Sequence, residues 1–497
     1  MPPPASKTTL RYDCWQGDLA MTLSRWRRIL MLGGAVALSL AGCKEEDDGA
    51  ANDTGTADET GADDDADSVG DDGMDGMDDM DDSGCVPGAL MCSCAEGVCS
   101  GVLFCVEDMC VQGPDVEFDD EFPDVLAGLR VPLEVEAEGE TITWSQTAGP
   151  AVELLTDQGP NTEINIPADA GDGETITMTV EVQLNGVTLS DSMDITIREA
   201  VFENVFPDVT APEQLGTTDG LAFNGAGMWV VSNEGFVSHM SPGDNDGDEP
   251  VPPGFVEAFD VGGLPAGANF LENELMLIAN TMLTEVQTFN TVSGTVGTYF
   301  DQIDGGGTLG AANFLLIDGN DGDVLLTNHL DGQLIYYDTG NDNDDDPIPP
   351  STVVMADDLG VNPNAMAFGP EGPGIVYLGV EDTIIRIPYE DGMIGMTSTY
   401  LDLAGMCGEP DGIMFDEGGN MWVGCPATNS LFVAQYVGGP DGETEVSRSW
   451  SDVGTGISRF ANLQFGGGDF AGRSLYWTNL EDATVGVLGV GLQGRNN

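Results

Sequence analysis

The architecture follows from the stretch NPNAMAFGPEGPGIVYLGVEDTIIRI, which runs from Asn362 to Ile387. A polar residue opens an apolar strand, glycines and prolines turn the chain, and further apolar strands return along it. On both sides of this stretch the pattern recurs, six times in all, with openings 44 to 51 residues apart. Periods of this length with several short strands each predict an all-β fold, a six-bladed β-propeller whose blades close into a ring.

Polar residues open the inner strand of each repeat: Asp219, Asn269, Asn313, Asn364, Asp411 and Asn462. Asparagine also closes the second strand in four repeats: Asn233, Asn280, Asn328 and Asn479. In an antiparallel pair these two positions lie at the same edge of the sheet, which predicts a ligand-binding mouth at one end of the channel. The alternative is that these side chains only cap their own turns. His329, directly after Asn328, is a further candidate for the same mouth, and the alternative is an exposed histidine in a turn.

Three stretches of the repeat region resemble the gluconolactonase and regucalcin-like six-bladed propellers: residues 362–387, EPDGIMFDEGGNMWVGC at 409–425, and the closing residues 462–494. The resemblance implies a divalent cation held by Asp219, Asn364 and Asp411, with Asp411 also acting on a lactone. Asp219 stands where the family has Glu. In blade 3 the family's Arg-x-Asn-Asp is replaced by residues 311–314, Ala-Ala-Asn-Phe, which puts sugar-lactone specificity in doubt.

The chemistry of these three residues is consistent with such a site. Two carboxylates and one amide carbonyl are hard oxygen ligands, which suit Ca²⁺ or Mg²⁺ better than soft metals. A bound ion could polarise an ester carbonyl while Asp411 activates water. Only two histidines occur in the chain and no G-x-S-x-G motif accompanies them, which gives a serine hydrolase little support.

The N-terminal region predicts a bacterial lipoprotein. From Met21 the chain reads MTLSRWRRILMLGGAVALSLAGC, a basic segment, a short apolar run and a small-residue cleavage box that ends at Cys43. We expect translation to start at Met21, Cys43 to carry the lipid, and the protein to be anchored in the bacterial cell envelope, at the outer membrane. Residues 44–83 hold 18 Asp or Glu and almost no large apolar side chain, which predicts a disordered tether.

Charge excludes one class of partner. The chain has 13 Lys and Arg against 87 Asp and Glu, a net charge of −74. Nucleic-acid binding requires cationic side chains that neutralise phosphates, so we expect no nucleic-acid partner. The expected partners are the membrane, through the lipid, and a small polar ligand, a lactone or an envelope polymer, with a protein partner as a further alternative.

Ten cysteines fit an exported, oxidised protein. Six of them crowd into 26 residues and predict a module with three disulfides rather than a zinc site: Cys85, Cys92, Cys94, Cys99, Cys105 and Cys110. Their pairing is left open. Cys407 and Cys425 bracket the first hairpin of blade 5 and are expected to form a disulfide, with two buried thiols as the alternative.

Between the cysteine module and the propeller, short alternating strands separated by Gly, Asp and Pro turns predict an antiparallel β-sandwich. The run ITWSQTAGPAVEL resembles PKD-like immunoglobulin-type domains, which implies that Trp144 is a core residue. The expected organisation is a signal peptide, a linker, a cysteine module, a sandwich and a propeller, at 1–43, 44–84, 85–113, 114–200 and 201–497.

Three functional hypotheses follow. The first is a lipid-anchored propeller that binds a cation and a small polar ligand or envelope polymer without efficient turnover. The second is a calcium-dependent lactone or ester hydrolase. The third is a platform for protein interaction or adhesion. The missing blade-3 arginine favours the first over the second.

Overall fold

A computed structural model describes the chain from residue 90 to residue 495, with gaps at 95–98, 101–102, 119–121, 205–215, 242–253, 304–306, 320–321, 338, 340–352, 360, 391–392, 439–442, 452–458, 469, 471 and 482. The signal segment, Cys43 and the acidic tether therefore lie outside the described residues. Within the described ranges the chain is all-β with two short 3-10 turns, so the predicted all-β class is confirmed. No helix in these ranges is long and apolar enough to cross a membrane.

The cysteine module is a hairpin of two strands, β1 (Leu103–Val106) and β2 (Met109–Gln112). Two disulfides join it to the preceding segment: Cys94–Cys105 and Cys99–Cys110. Cys92 is also disulfide-bonded, whereas Cys85 lies outside the described residues. The disulfide prediction is confirmed for these cysteines, and the sulfurs of Cys94, Cys99 and Cys110 lie close together because two disulfides meet there.

Nine strands follow before the propeller: β3 (Asp115–Glu117), β4 (Val125–Leu126), β5 (Arg130–Glu134), β6 (Glu136–Glu138), β7 (Thr141–Ala148), β8 (Glu153–Leu154), β9 (Asn161–Asn165), β10 (Thr175–Leu184) and β11 (Val187–Arg198). Two main sheets form, with strand orders β4-β11-β10-β7 and β5-β9-β8, and β3 pairs with β6. Alternate residues of β10 are buried, as expected where one face of a strand meets a core. Trp144 lies in that core, and its indole Nε1 donates to the carbonyl oxygen of Gly159 at 2.8 Å.

The remaining strands are β12 (Phe202–Asn204), β13 (Thr218–Asn224), β14 (Gly227–Ser232), β15 (Phe236–Ser241), β16 (Gly254–Asp260), β17 (Pro265–Glu272), β18 (Leu275–Asn280), β19 (Glu285–Asn290), β20 (Thr295–Phe300), β21 (Gln302–Ile303), β22 (Gly307–Thr308), β23 (Ala312–Ile317), β24 (Val324–Asn328), β25 (Gln333–Tyr337), β26 (Val353–Asp358), β27 (Pro363–Gly369), β28 (Gly372–Val380), β29 (Thr383–Glu390), β30 (Met393–Ile394), β31 (Ser398–Asp402), β32 (Gly412–Phe415), β33 (Met421–Cys425), β34 (Ser430–Gly438), β35 (Glu443–Ser451), β36 (Phe460–Phe465), β37 (Ser474–Asn479) and β38 (Val485–Gly489). The two 3-10 turns are His329–Asp331 and Pro426–Thr428.

These strands build six antiparallel blades from the described residues. Blades 1, 2, 3 and 5 are β13–β16, β17–β20, β23–β26 and β32–β35, and blade 4 is β27, β28, β29 and β31 with β30 at its side. Blade 6 has β36, β37 and β38 and takes its outer strand, β12, from the start of the region. A strand from one end of the region therefore completes the blade at the other end, which leaves the ring without a gap.

The inner strands β13, β17, β23, β27, β32 and β36 each contact the next one around the ring, and β36 returns to β13. At this junction the Thr218 hydroxyl donates to the carbonyl oxygens of Asn479 and Thr484 at 3.1 and 3.0 Å. The Thr478 hydroxyl donates to the carbonyl oxygen of Asp219. Hydrogen bonds between blades 6 and 1 therefore hold the closed ring at the end where the inner strands begin.

The sandwich packs directly on blades 5 and 6. Leu126 and Leu129 from the sandwich share one buried apolar cluster with Trp422 and Trp477 from the two blades. The Asn420 side chain makes two hydrogen bonds to the backbone of Arg130 in the sandwich. Its Oδ1 accepts from the Arg130 N–H at 2.7 Å, and its Nδ2 donates to the Arg130 carbonyl oxygen at 2.9 Å. Sandwich and propeller therefore have a continuous core.

Candidate functional site

Five of the six inner strands share a distinctive pairing register at their first residues. In five blades the pairing with the second strand skips two residues: at 218–221, 265–268, 312–315, 363–366 and 460–463. The residue after the first paired one then occupies an equivalent slot in each of these blades. These slot residues are Asp219, Ala266, Asn313, Asn364 and Ala461.

Blade 5 lacks this skip, but the close contact of Gly412 with the next blade identifies the equivalent position. A Cβ on Gly220 or Gly267, each directly after a slot residue, would collide with the carbonyl oxygen of the slot residue in the next blade. Gly412 stands in the same relation to Ala461 of blade 6. The slot in blade 5 is therefore Asp411, whose N–H donates to the carbonyl oxygen of Gly424 at 2.9 Å.

This register differs from the sequence expectation in two blades. Asn269 lies three residues beyond the slot held by Ala266, and its Oδ1 accepts from the N–H of Phe270 at 2.8 Å. Asn462 is buried and lies one residue beyond the slot held by Ala461. The mouth is polar in four blades and carries alanine in the other two.

The four polar slot residues form one cluster. The Asn313 amide Nδ2 donates to the Asn364 Oδ1 at 2.7 Å, and the Asn364 side chain in turn hydrogen-bonds the Asp411 carboxylate. Asp219, in blade 1 beyond the junction of blades 6 and 1, lies close enough to Asp411 for the two charges to interact. Asn364 and Asp411 are buried, while Asp219 and Asn313 are half-buried.

Burial and mutual repulsion shape the electrostatics of this cluster. Burial raises the pKa of Asp411 to about 7; the hydrogen bond from Asn364 works against this rise, and the nearby Glu409 carboxylate adds to it. Burial, and then the charge of Asp411, raise the pKa of Asp219 well above its ordinary value. Neither carboxylate has an Arg or Lys partner among the ion pairs of the described residues. A cation placed between two such carboxyl groups stabilises their ionised forms.

Two further side chains stand on the rim of the cluster. The His329 ring Nδ1 lies 3.1 Å from the carbonyl oxygen of Pro363, which makes it a donor there, and Nε2 lies 3.6 Å from the Glu409 Oε1. His329 of blade 3 thus reaches across blade 4 to blade 5. Glu409 was not among the predicted site residues, although its position two residues before Asp411 was the available signal.

The strand-closing asparagines behave differently from the slot residues. Asn280 accepts from the N–H groups of Leu264 and Leu283, at 2.9 and 3.2 Å, and donates to the Gln287 Oε1 at 3.0 Å. Asn328 and Asn479 likewise bond within their own turns and strands. These contacts favour the capping alternative for the three residues. The fourth, Asn233, has a buried Oδ1 with no hydrogen-bond partner among the described residues.

One predicted contact beside the site is confirmed. Cys407 and Cys425 form a buried disulfide between the segment that precedes Asp411 and the end of β33. The carboxylates of Glu409 and Asp411 therefore lie on a short segment that is pinned at one end by a covalent bond. The segment is pinned at its other end by the strand hydrogen bond from Asp411 to Gly424.

No protein-family model matches the chain, and no curated protein matches it. Its structure is similar to that of a gluconolactonase from Xanthomonas campestris, at 16% identity and a TM-score of 0.44, covering 59% of this chain and 90% of that one. A calcium-binding regucalcin from Agrobacterium tumefaciens gives 14% identity and a TM-score of 0.40, covering 56% and 92%. A luciferin-regenerating enzyme gives 14% identity and a TM-score of 0.44, covering 60% and 98%.

Proposed function

We propose that the mouth of the propeller binds a divalent cation, Ca²⁺ or another such as Mg²⁺, and through it a small polar ligand, a lactone or an envelope polymer. Asp219, Asn364 and Asp411 would hold the cation. The observation that carries the proposal is the pair of carboxylates, Asp219 and Asp411, which lie close enough in a largely buried cluster for the charge of Asp411 to raise the pKa of Asp219. A divalent ion offsets that cost because it interacts favourably with both charges at once.

The donor set fits a hard cation. Two carboxylates and the Asn364 carbonyl oxygen are the oxygen ligands that Ca²⁺ and Mg²⁺ prefer. Asn313 donates to that same carbonyl oxygen, which fixes the orientation of the Asn364 amide. Asn313 therefore acts as a positioning residue in this proposal.

Calorimetry on chelator-treated protein tests the cation. The acidic tether is a source of weak, non-specific cation binding, so the titration is run in physiological salt and compared between variants. Asp219→Asn and Asp411→Asn should each remove the tightest binding event. Asp194→Asn is the matched control, because Asp194 is an exposed carboxylate of the sandwich that accepts from Thr177. An unchanged isotherm in both mouth variants would refute the proposal.

Hydrolysis of a lactone or ester is a second candidate, favoured by one observation. Burial brings the pKa of Asp411 to about 7, near the value that suits a general base at neutral pH. A bound cation would supply polarisation of the substrate carbonyl. Asp411 would then accept a proton from the attacking water, and Asn313 and Asn364 would hold the carboxylate in place.

A pH-stat assay over a panel of γ- and δ-lactones tests this candidate. Turnover that is abolished in Asp411→Asn but kept in the Asp194→Asn control supports hydrolysis. The absence of turnover in wild-type protein that binds calcium would leave a binding function and remove the catalytic one. Blade 3 provides no arginine at residues 311–314, so we expect a polyhydroxylated sugar lactone to be a poor substrate.

We further propose that this propeller works in the bacterial cell envelope, held at the outer membrane by a lipid on Cys43, with no nucleic-acid partner. The support is the signal sequence and the charge of −74. Metabolic labelling with an alkyne fatty acid should mark the wild-type protein but not Cys43→Ser. Cys14→Ser, upstream of the expected start at Met21, is the matched control and should label normally.

A further inference from the structure

A cleft separates part of the sandwich from the propeller, at the end of blades 5 and 6 that lies opposite the mouth. Its volume is about 730 Å³, a size typical of ligand sites, which often lie where two domains meet. Residues 132–134 of β5 form part of the sandwich wall. The propeller wall includes Glu417 and Arg473, in the turns that lead into β33 and β37. We call this cavity the interdomain cleft.

The interdomain cleft borders the outer edge of strand β5. Just before β5, the carbonyl oxygen of Leu129 accepts from the Ile166 N–H at 2.9 Å, and just after it the Val135 N–H donates to the carbonyl oxygen of Pro160 at 3.0 Å. Both bonds lie on the β9 side. Because backbone groups of successive residues alternate between the two sides of an antiparallel strand, residues 130, 132 and 134 turn theirs to the outer edge.

One position on this edge is already occupied, and it shows how the edge binds an amide. The Asn420 side chain accepts from the Arg130 N–H and donates to the Arg130 carbonyl oxygen, as a peptide group of a neighbouring strand would. The carbonyl oxygen of Pro132 and both backbone groups of Glu134 follow along the same edge. No strand among the described residues pairs with them. The edge can therefore receive a short extended chain, which must end where Asn420 begins.

Two arginines lie at this propeller end of the edge. The Arg495 N–H donates to the carbonyl oxygen of Phe415, just before the turn that leads to Asn420, at 3.0 Å, and the residues directly before Arg473 and Arg495 share a backbone hydrogen bond of 3.2 Å. Glu417, at the same end, accepts from a backbone N–H. The Arg473 guanidinium makes no ion pair with the described residues. This end of the cleft can therefore accommodate an anionic group from outside the chain.

The far end of the edge carries the opposite charge. Glu134 and Glu136 are exposed and line the cleft, and no ion pair within the described ranges joins them to an arginine. Three half-buried apolar side chains also line the cleft: Phe118, Phe122 and Met193. The cleft thus combines guanidinium groups, a hydrogen-bonding edge, apolar contacts and carboxylates, and one ligand has the complementary groups in the same order.

We propose that the interdomain cleft binds a short peptide with a free C-terminal carboxylate, which adds to β5 as an antiparallel strand. The carboxylate accepts from Arg473 and Arg495, the peptide backbone bonds to the edge of β5, and the N-terminal ammonium group lies at Glu134 and Glu136. The added strand is antiparallel because β5 runs away from the propeller, whereas the C-terminus of the peptide lies against it. This binding does not depend on the cation site at the mouth.

Calorimetry with one peptide and its blocked forms tests the inference. Full-length protein is titrated with the tripeptide Ala-Leu-Phe, its C-terminal amide, its N-acetyl form and its two backbone N-methyl analogues. We expect the amide to bind at least about tenfold more weakly than the free acid, because it lacks the charge-assisted hydrogen bonds. The N-acetyl form should bind several-fold more weakly, and one of the two N-methyl analogues should lose binding because its N–H faces β5.

Two variants assign the ends of the peptide. Arg473→Gln should weaken binding of the free acid at least about tenfold and leave that of the amide unchanged. Glu136→Gln should weaken binding of the free acid several-fold and leave that of the N-acetyl form unchanged. Arg459→Gln is the matched control, because Arg459 pairs with Glu481 outside the cleft, and it should bind every peptide as wild type does.

Several results would overturn the inference. They are absence of binding by the whole series, equal affinities for acid and amide, and wild-type affinity in both N-methyl analogues. Equal losses for acid and amide in Arg473→Gln would show that the arginine only supports the fold, and would also overturn it. Calcium affinity should be the same with and without peptide, so failure of the cation site and failure of the peptide site are separate results.

Discussion

At the scale of single residues, one amide connects three blades. Asn364 of blade 4 accepts from Asn313 of blade 3 at 2.7 Å and hydrogen-bonds Asp411 of blade 5. Hydrogen bonds to charged groups are stronger than those between neutral groups, so this amide contributes strongly to the position of the Asp411 carboxylate. The hydrogen bond from Asn364 to Asp411 holds the pKa of Asp411 below the value that burial alone would give.

Replacing Asn364 by Leu removes an oxygen ligand and the hydrogen bond to Asp411. We expect Asn364→Leu to weaken calcium binding by at least about tenfold, which corresponds to the roughly 1.5–3 kcal/mol of one charge-assisted hydrogen bond. Asn462→Leu is the control, because Asn462 is also a buried asparagine near the start of an inner strand but lies one residue off the slot. Equal losses in the two variants, measured by calorimetry, would contradict the register of the slot.

The sequence predicts the identity of four slot residues but not the full register. The predicted residues that occupy slots, because their repeats align without ambiguity, are Asp219, Asn313, Asn364 and Asp411. In blade 2 the repeat offers Asn269, yet the skip in pairing puts Ala266 at the mouth. A skip of two residues depends on backbone hydrogen bonding between strands, which leaves no distinct mark in the residue pattern. The approach of Glu409 to His329 likewise depends on how three blades meet.

At the scale of elements, the disulfide Cys407–Cys425 connects the start of blade 5 to the end of its second strand. The bond closes a loop with a sequence separation of 18 residues, and such loops stabilise a folded protein by about 3 kcal/mol in the chain-entropy model. The loop contains both Glu409 and Asp411. The disulfide is therefore expected to support the site as well as the fold.

The double variant Cys407→Ser/Cys425→Ser should lose about 2–4 kcal/mol of unfolding free energy in urea titrations and bind calcium more weakly. Cys94→Ser/Cys105→Ser removes a disulfide of the cysteine module, which contacts the sandwich where Asn185 donates to the carbonyl oxygen of Gln112, and it should leave calcium affinity unchanged. If both double variants bind calcium as wild type does, the disulfide supports only the fold.

The repeat pattern predicts the strands of the blades well, because hydrophobic alternation and turn residues are local signals. It does not predict β12. This strand is only the three residues Phe202–Asn204, and it belongs to blade 6 through pairing with β38 almost 300 residues later. Nothing in the composition of this short segment indicates that it pairs with a strand so far along the chain and so closes the ring.

At the scale of the whole molecule, the sandwich and the propeller share apolar surface that sequence patterns assign to separate domains. Leu129 of the sandwich is fully buried in the cluster that includes Trp422 and Phe460 of the propeller. Domains joined through a large apolar interface are expected to unfold together. Calorimetry should therefore show one transition for sandwich and propeller, and two well-separated transitions would contradict the continuous core.

The link between these two parts contains a buried acid. Asp416 is fully buried in blade 5, where it accepts from the Trp422 Nε1 at 2.9 Å and from the backbone N–H of Asn420 at 3.0 Å. Asn420 in turn pairs with the backbone of Arg130 in the sandwich. Burial raises the pKa of Asp416 to about 7, although the hydrogen bonds from Trp422 and Asn420 oppose the rise. The folded protein thus binds a proton here more tightly than the unfolded chain does.

This proton makes stability depend on pH with a definite sign. Between the ordinary pKa of 3.8 and about 7 the folded state holds more protons than the unfolded state, so the free energy of unfolding should fall as pH rises. Each such carboxyl contributes up to about 1.4 kcal/mol per pH unit. Asp219, Asp411 and the repulsion among acidic groups give slopes of the same sign, so the informative quantity is the difference between variants.

Urea titrations at pH 5 and pH 7 test this. The free energy of unfolding should decline less between these pH values in Asp416→Asn than in wild type or in the exposed control Asp194→Asn. Parallel declines in all three proteins would mean that Asp416 is ionised throughout, and that the contact between sandwich and propeller tolerates a buried charge.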